Sequence, residues 1–142
     1  MEPIIIREFR YPEDYSQVVG IWEKMGNGIR VGVSDAPKEI EKKLLRDPEL
    51  FLVAETNGSL IGTIIGGYDG RRGFIYHLAV AAAYREQGIG TRLVEEVERR
   101  LLGIGCIRCY LFVNNDNTEV KGFYEKHGWE LLPVTPYAKD LI

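Results

Sequence analysis

Arg85-Glu86-Gln87-Gly88-Ile89-Gly90 lies between an apolar run, Ile75 to Val80, and a long amphipathic segment that begins near Gly88. A strand, a tight basic loop with two glycines and then a helix leave several backbone N–H groups at the positive end of a helix dipole. Such a place suits a phosphate. A side chain at either glycine would hold a ligand's oxygens away from the backbone, and Arg85 adds a fixed positive charge. The spacing predicts a loop that grips a pyrophosphate; a plain glycine-rich strand-to-helix turn is the alternative. A Walker loop needs Lys-Ser or Lys-Thr after its second glycine, and here Gly90 is followed by Thr91-Arg92. A dinucleotide fingerprint needs a third glycine and an acidic residue about 20 positions on, so both patterns fit poorly.

On the N-terminal side of the loop, Phe74 to Val80 is apolar on both faces and predicts a central strand. Leu50 to Thr56 and Ser59 to Tyr68 predict two strands joined by Asn57-Gly58, a dipeptide suited to a turn with both φ angles positive. Gly62, Gly66 and Gly67 inside the second of these mark close approach of a backbone or ligand. Ile4 to Phe9 predicts a first strand. Pro12-Glu13-Asp14 opens a helix that buries Tyr15, Val18, Val19 and Trp22 and ends near Met25-Gly26. Asn27 to Ala36 is loop-like, and Ser34 or Asp35 can cap a second helix that has Pro37 in its first turn.

On the C-terminal side, the helix from Gly88 buries Ile89, Leu93, Val94, Val97 and Leu101. Cys106 to Val113 predicts a strand, Asn114 to Asn117 a polar break, and Thr118 to His127 a helix stopped by Gly128. Trp129 to Leu132 and Tyr137 to Ile142 predict two closing strands around Pro133 and Pro136. Cys106 and Cys109 in one strand would face opposite sides and act as small hydrophobes rather than zinc ligands. The class is α/β (α+β), one domain over residues 1–142, with a mixed sheet of about seven strands flanked by about four helices.

The net charge of −3 argues against a nucleic-acid partner. The absence of a signal-peptide pattern or a spanning apolar run predicts a cytoplasmic protein without a membrane partner.

Arg85-x-x-Gly88-x-Gly90, after a strand ending Leu78-Ala79-Val80, resembles the coenzyme A loop of the GNAT superfamily of N-acyltransferases. The segment Asn117-x6-Tyr124-Glu125-Lys126-x-Gly128-Trp129 is similar to that family's closing signature, with Trp129 where phenylalanine is usual. Leu52-Val53-Ala54-Glu55-x-Asn57-Gly58 and Gly66-Gly67-Tyr68-Asp69-Gly70-x-Arg72-Gly73 look like the small bacterial subgroup typified by YpeA.

The resemblance implies acetyl transfer from acetyl-CoA to a primary amine, on a small molecule or a protein N-terminus, by direct attack and without a metal. It implies that the backbone of Leu78, Ala79 and Val80 pairs with pantetheine. Arg85, Glu86, Gln87, Gly88, Ile89, Gly90 and Thr91 would hold the pyrophosphate, and Asn117, Phe123 and Tyr124 would meet the rest of the coenzyme. Tyr124 would be the general acid. The acceptor site would lie among the Trp22–Ser34 region, Tyr68 and the Tyr137 hairpin, and the chain would act alone or as a homodimer.

A lysine ammonium is free base in only about one molecule in 2,500 at neutral pH, so a base or water relay is needed for such an acceptor. The strand before the loop carries no carboxylate; His77 has a suitable intrinsic pKa, and Asp69 is the nearest acid. A non-catalytic acyl-CoA-binding module and a nucleotide-phosphate binder are the competing functions.

Overall fold

The Asn57-Gly58 turn adopts the geometry its sequence demands, with φ of 52° and 77°, and joins strands β2 (Phe51–Thr56) and β3 (Ser59–Tyr68) in antiparallel register. These coordinates are a computed structural model that describes residues 2–26, 29–115 and 117–142. Asn27 and Gly28 of the predicted loop, and Asp116 of the predicted polar break, lie outside the described residues. The chain divides into two compact units, Met1–Phe112 and Val113–Ile142.

The first unit is built on a five-stranded sheet in the order β1-β2-β3-β4-β5. β1 (Ile5–Glu8) pairs antiparallel with β2, and β3 pairs antiparallel with β4 (Gly73–Val80). β5 (Cys109–Tyr110) pairs parallel with Gly73 and Phe74 alone.

Alternation along β3 sends successive side chains to opposite faces. On one face, α1 (Tyr15–Glu23) and α2 (Pro37–Arg46) cover a core of Val18, Trp22, Ile40, Phe51, Val53, Ile65 and Ala79. Phe51 stacks on Phe9 at 4.1 Å between centroids. On the other face lies α3 (Ile89–Gly103), whose Ile89, Leu93, Val94, Val97 and Leu101 are buried, as its periodicity predicts. Each such side chain contributes about 1.5–3 kcal/mol. Gly66 permits this approach: a Cβ there would sit 2.9 Å from Val97 Cγ1.

Helix α1 begins at Tyr15 rather than at Pro12. The Asp14 carboxylate does not cap the first turn; it accepts from Arg7 at 2.8 and 3.1 Å and from the Arg10 amide at 2.8 Å. Likewise α2 has Ala36 as its N-cap and no side-chain cap.

In the second unit the single described helix is α4 (Thr118–Lys126), capped by Asn117, whose side chain accepts from the Val120 amide at 3.3 Å. Gly128, at φ 90°, follows it. The predicted strands over 129–132 and 137–142 are absent. Pro133 and Pro136 lack the N–H a ladder requires, and Leu131, Val134, Tyr137 and Leu141 stand exposed. With five strands the sheet is smaller than the seven expected. The predicted strand from Cys106 to Val113 shrinks to two residues, so Cys106 and Cys109 do not alternate across a strand. Both sulfurs converge on Gly73, where a Cβ would meet them at 2.8 and 3.2 Å, and both thiols are free. Burial and the neighbouring Cys106 push the Cys109 thiol up to about 12.

Candidate active site

The loop after β4 leaves its amides open. Glu86 and Gly88 take positive φ, 63° and 79°, and α3 starts at Ile89 with Gly88 as its N-cap. Among the described residues, no protein group accepts from the amides of Gln87, Gly88, Ile89 or Gly90; the first closing bond is from Arg92 N to Gly88 O at 3.1 Å. The first N–H groups of any helix lack an internal partner, and the two residues with positive φ lie directly before them. The Arg85 guanidinium folds back: Nε donates to Val80 O at 3.2 Å, and one terminal nitrogen lies 3.4 Å from Met25 Sδ.

The edge of β4 that leads into this loop is also open. Its pairing with β5 stops at Phe74, so among the described residues nothing pairs with Ile75–Val80 along that edge. Among the described residues no strand lies along that side of Leu78, Ala79 and Val80, although the Val80 carbonyl is already taken by Arg85 Nε.

A bulge interrupts β4 between these two ends. The register with β3 shifts between Thr63 and Ile65, and His77 has φ 50°. Two consecutive side chains then face α1 and α2: the Tyr76 ring lies near Gly67 and the Lys43 side, and the His77 ring meets Trp22 edge-on at 4.6 Å. Trp22 Nε1 donates to Thr63 Oγ1 at 2.9 Å, and Thr63 Oγ1 donates to the His77 carbonyl at 2.9 Å. Thr63 is fully buried, so this chain fixes the bulge from beneath.

His77 Nε2 lies 3.0 and 3.1 Å from the two oxygens of Asp35. Asp35 is 5% exposed and belongs to a short 3-10 turn, Val33–Asp35. One of its oxygens accepts from the Gly32 amide at 3.0 Å, and its carbonyl accepts from Tyr15 OH at 2.8 Å. Burial acts to raise the Asp35 carboxyl, but the His77 and Gly32 hydrogen bonds outweigh it and hold the group below its ordinary value. Sequence reasoning treated Asp35 as a helix cap and missed this role. Its partner is 42 positions away, so no local pattern could have exposed the pair.

Asp69, the other acid considered, accepts from the amides of Arg71 and Arg72 at 2.8 and 2.7 Å and closes its own turn. Beside Tyr76, a groove of about 280 Å³ is lined by Lys43, Arg46, Gly67, Tyr68 and Phe74, among others. No group of three or more metal-ligating side chains occurs among the described residues, and no described helix is long and apolar enough to cross a membrane.

Within the second unit, Tyr124 is 8% exposed and packs edge-on against Phe123 and Trp129 at 5.3 and 5.8 Å. Burial holds its phenol well above the usual tyrosine value. The hydroxyl makes no hydrogen bond to a described residue. Since no fully buried side-chain oxygen among those residues lacks a partner, it keeps solvent access.

The family model described as acetyltransferase (GNAT) matches residues 19–129. An acetyltransferase of Pectobacterium atrosepticum is 40% identical over 137 residues, 96% of this chain and 95% of its own length. One from Yersinia pestis is 39% identical over 130 residues, 92% of this chain and 91% of its own. Among solved structures, Ard1 from Thermoplasma volcanium superposes with a TM-score of 0.79 at 28% identity, over 91% of this chain and 84% of that one. The PaiA N-acetyltransferase of Thermoplasma acidophilum, solved in complex with coenzyme A, shares the fold with a TM-score of 0.82 at 22% identity, over 94% and 93% of the two chains. Strand, open-amide loop and helix thus sit in a sequence that aligns nearly end to end with named acetyltransferases, and the chain belongs to the GNAT family of acetyltransferases.

Proposed function

We propose that the protein is an N-acetyltransferase that takes its acetyl group from acetyl-CoA and delivers it to a primary amine by direct attack, on a small molecule or a peptide N-terminus. The observation that carries this is the continuity of the open β4 edge, Ile75–Val80, with the unpaired amides of Gln87–Gly90. A pantetheine arm is an amide-bearing chain that can lie along a strand edge as an added strand does. A diphosphate suits a helix N-terminus. These two features follow one another along the chain, as a ligand carrying both groups would need. The coenzyme A bound to the PaiA relative agrees with this assignment.

Acetyl-CoA supplies the activated acyl group; the chain supplies position and proton management. Leu78, Ala79 and Val80 hold the arm; Gln87, Gly88, Ile89 and Gly90 hold the diphosphate. Arg85 closes the end of β4 through Val80 O and keeps its positive charge at that end. His77 takes the proton the amine must lose. The family resemblance assigns Tyr124 the role of hydrogen-bond donor to the leaving sulfur, and its phenol suits that role because burial disfavours the anion. The family resemblance assigns Thr91, Asn117 and Phe123 to the coenzyme as well. The protein works in the cytoplasm, with an amine as its second substrate.

Thiol release from acetyl-CoA across a panel of amines and peptides tests the proposal. Turnover with at least one primary amine is expected. Stabilisation by acetyl-CoA without turnover would point to an acyl-CoA-binding module, and stabilisation by ATP alone would contradict coenzyme A recognition.

A further inference from the structure

We propose that Asp35 is a positioning residue that fixes the tautomer of His77, so that Nδ1 of His77 is the atom that accepts the amine proton. This rests on the acetyltransferase assignment above and adds a named atom and a second residue to it. An ionised carboxylate can only accept. With both Asp35 oxygens within 3.1 Å of Nε2, the hydrogen of a neutral His77 ring resides on Nε2, and Nδ1 carries the lone pair. Nδ1 has no partner among the described residues and, by the same exclusion that applies to Tyr124, keeps solvent access.

The geometry also explains why the pair is rigid. The bulge holds the His77 backbone in a left-handed conformation that a histidine rarely adopts, and Thr63 and Trp22 secure it. Asp35 is secured separately by Gly32 and Tyr15. Asp35 is held down by its bonds to His77 and to the Gly32 amide against the opposing effect of burial. Tyr15 is raised first by burial, then by Asp35, Tyr11 and Glu23, and the adjacent Tyr76 is raised by burial alone.

In the step itself, the amine nitrogen forms a bond to the thioester carbon and its proton passes to His77 Nδ1. The C–S bond breaks with its electron pair going to sulfur, which takes a proton from solvent. The imidazolium so formed faces the Asp35 carboxylate through Nε2–H and later returns its proton to water.

Two measurements decide the matter. In histidine-¹⁵N-labelled wild-type protein, the neutral ring of His77 should show the Nε2–H tautomer; an Nδ1–H tautomer would overturn the assignment. For Asp35→Asn, assayed with the best amine from the panel, kcat should fall by about tenfold or more, within the range of general-base effects, with KM for acetyl-CoA unchanged. A kcat equal to wild type would contradict a positioning role. If Asp35→Asn does not fold, the wild-type tautomer alone decides. If wild type acetylates no amine, the acetyltransferase assignment fails and the tautomer still answers for the pair.

Discussion

The two faces of the first unit's sheet are built from the same strands and do different work. Against α3, the contacts are apolar and closed: Leu93, Val94, Val97 and Leu101 are 0–1% exposed, and Gly62 and Gly66 bring that helix down onto β3. Against α1 and α2, an apolar core around Trp22 and Phe51 gives way to Thr63, His77 and Asp35, polar groups partnered with one another beside a groove. Burying polar groups is tolerated only when they are hydrogen-bonded, so this face gives up simple packing for a hydrogen-bonded polar network. On the proposed function, stability and chemistry are separated by the thickness of one sheet.

Substitutions can break that division. Leu93→Ala, on the closed face, should destabilise by about 2–5 kcal/mol in urea titrations and leave kcat of the folded protein unchanged; a fall in kcat would show that the faces are coupled. Gly66→Ala should cost about 1–3 kcal/mol by overpacking, since the new Cβ would meet Val97 Cγ1 at 2.9 Å and Leu50 Cβ at 3.4 Å. Trp22→Phe keeps an aromatic ring but removes the donor to Thr63. With the ring volume also lost from a fully buried site, it should cost about 1–3 kcal/mol in the same titration, yet slow turnover more than either change on the other face.

The pH dependence sharpens the same contrast with a smaller effect. Asp14 and Asp35 lie on the α1/α2 side with folded-state values below the ordinary 3.8. The unfolded chain therefore binds protons first as pH falls. The stability these groups lend is complete above the ordinary carboxylate range and is lost as pH drops through their lower folded values. Melting temperatures should decline in that acid window, and Asp14→Asn should flatten the decline. Tyr124, raised by burial, has the opposite sign: its contribution is complete below the ordinary value of 10.0 and is lost as pH climbs above it.

The regular elements were legible because their signals are local. Helical periodicity from Ile89 to Leu101 and the Asn57-Gly58 turn were enough to place α3 and the β2–β3 hairpin. The path from β4 through a loop into α3 was legible for the same reason: its glycines and flanking strand are contiguous. The bulge at His77 was not, because a positive φ there comes from tertiary contacts with Trp22 and Thr63 and not from a glycine in the sequence. Asp35 looked like a cap because Asp before Pro37 commonly is one; its actual partners come from β4 and from Gly32. The shortness of β5 was equally hidden. A bulge bends its strand and increases its twist, in keeping with a β4 that pairs with β5 only at its first two residues. The residues after Trp129 alternate well enough to suggest strands, but alternation does not supply a partner.

The central claim is that the main-chain amides between β4 and α3 receive the diphosphate of coenzyme A. Amide NMR of ¹⁵N-labelled protein titrated with coenzyme A measures this most directly. The account predicts that the Gln87, Gly88, Ile89 and Gly90 signals shift furthest downfield and saturate together with those of Leu78–Val80. Saturable binding that leaves those four signals in place would contradict it.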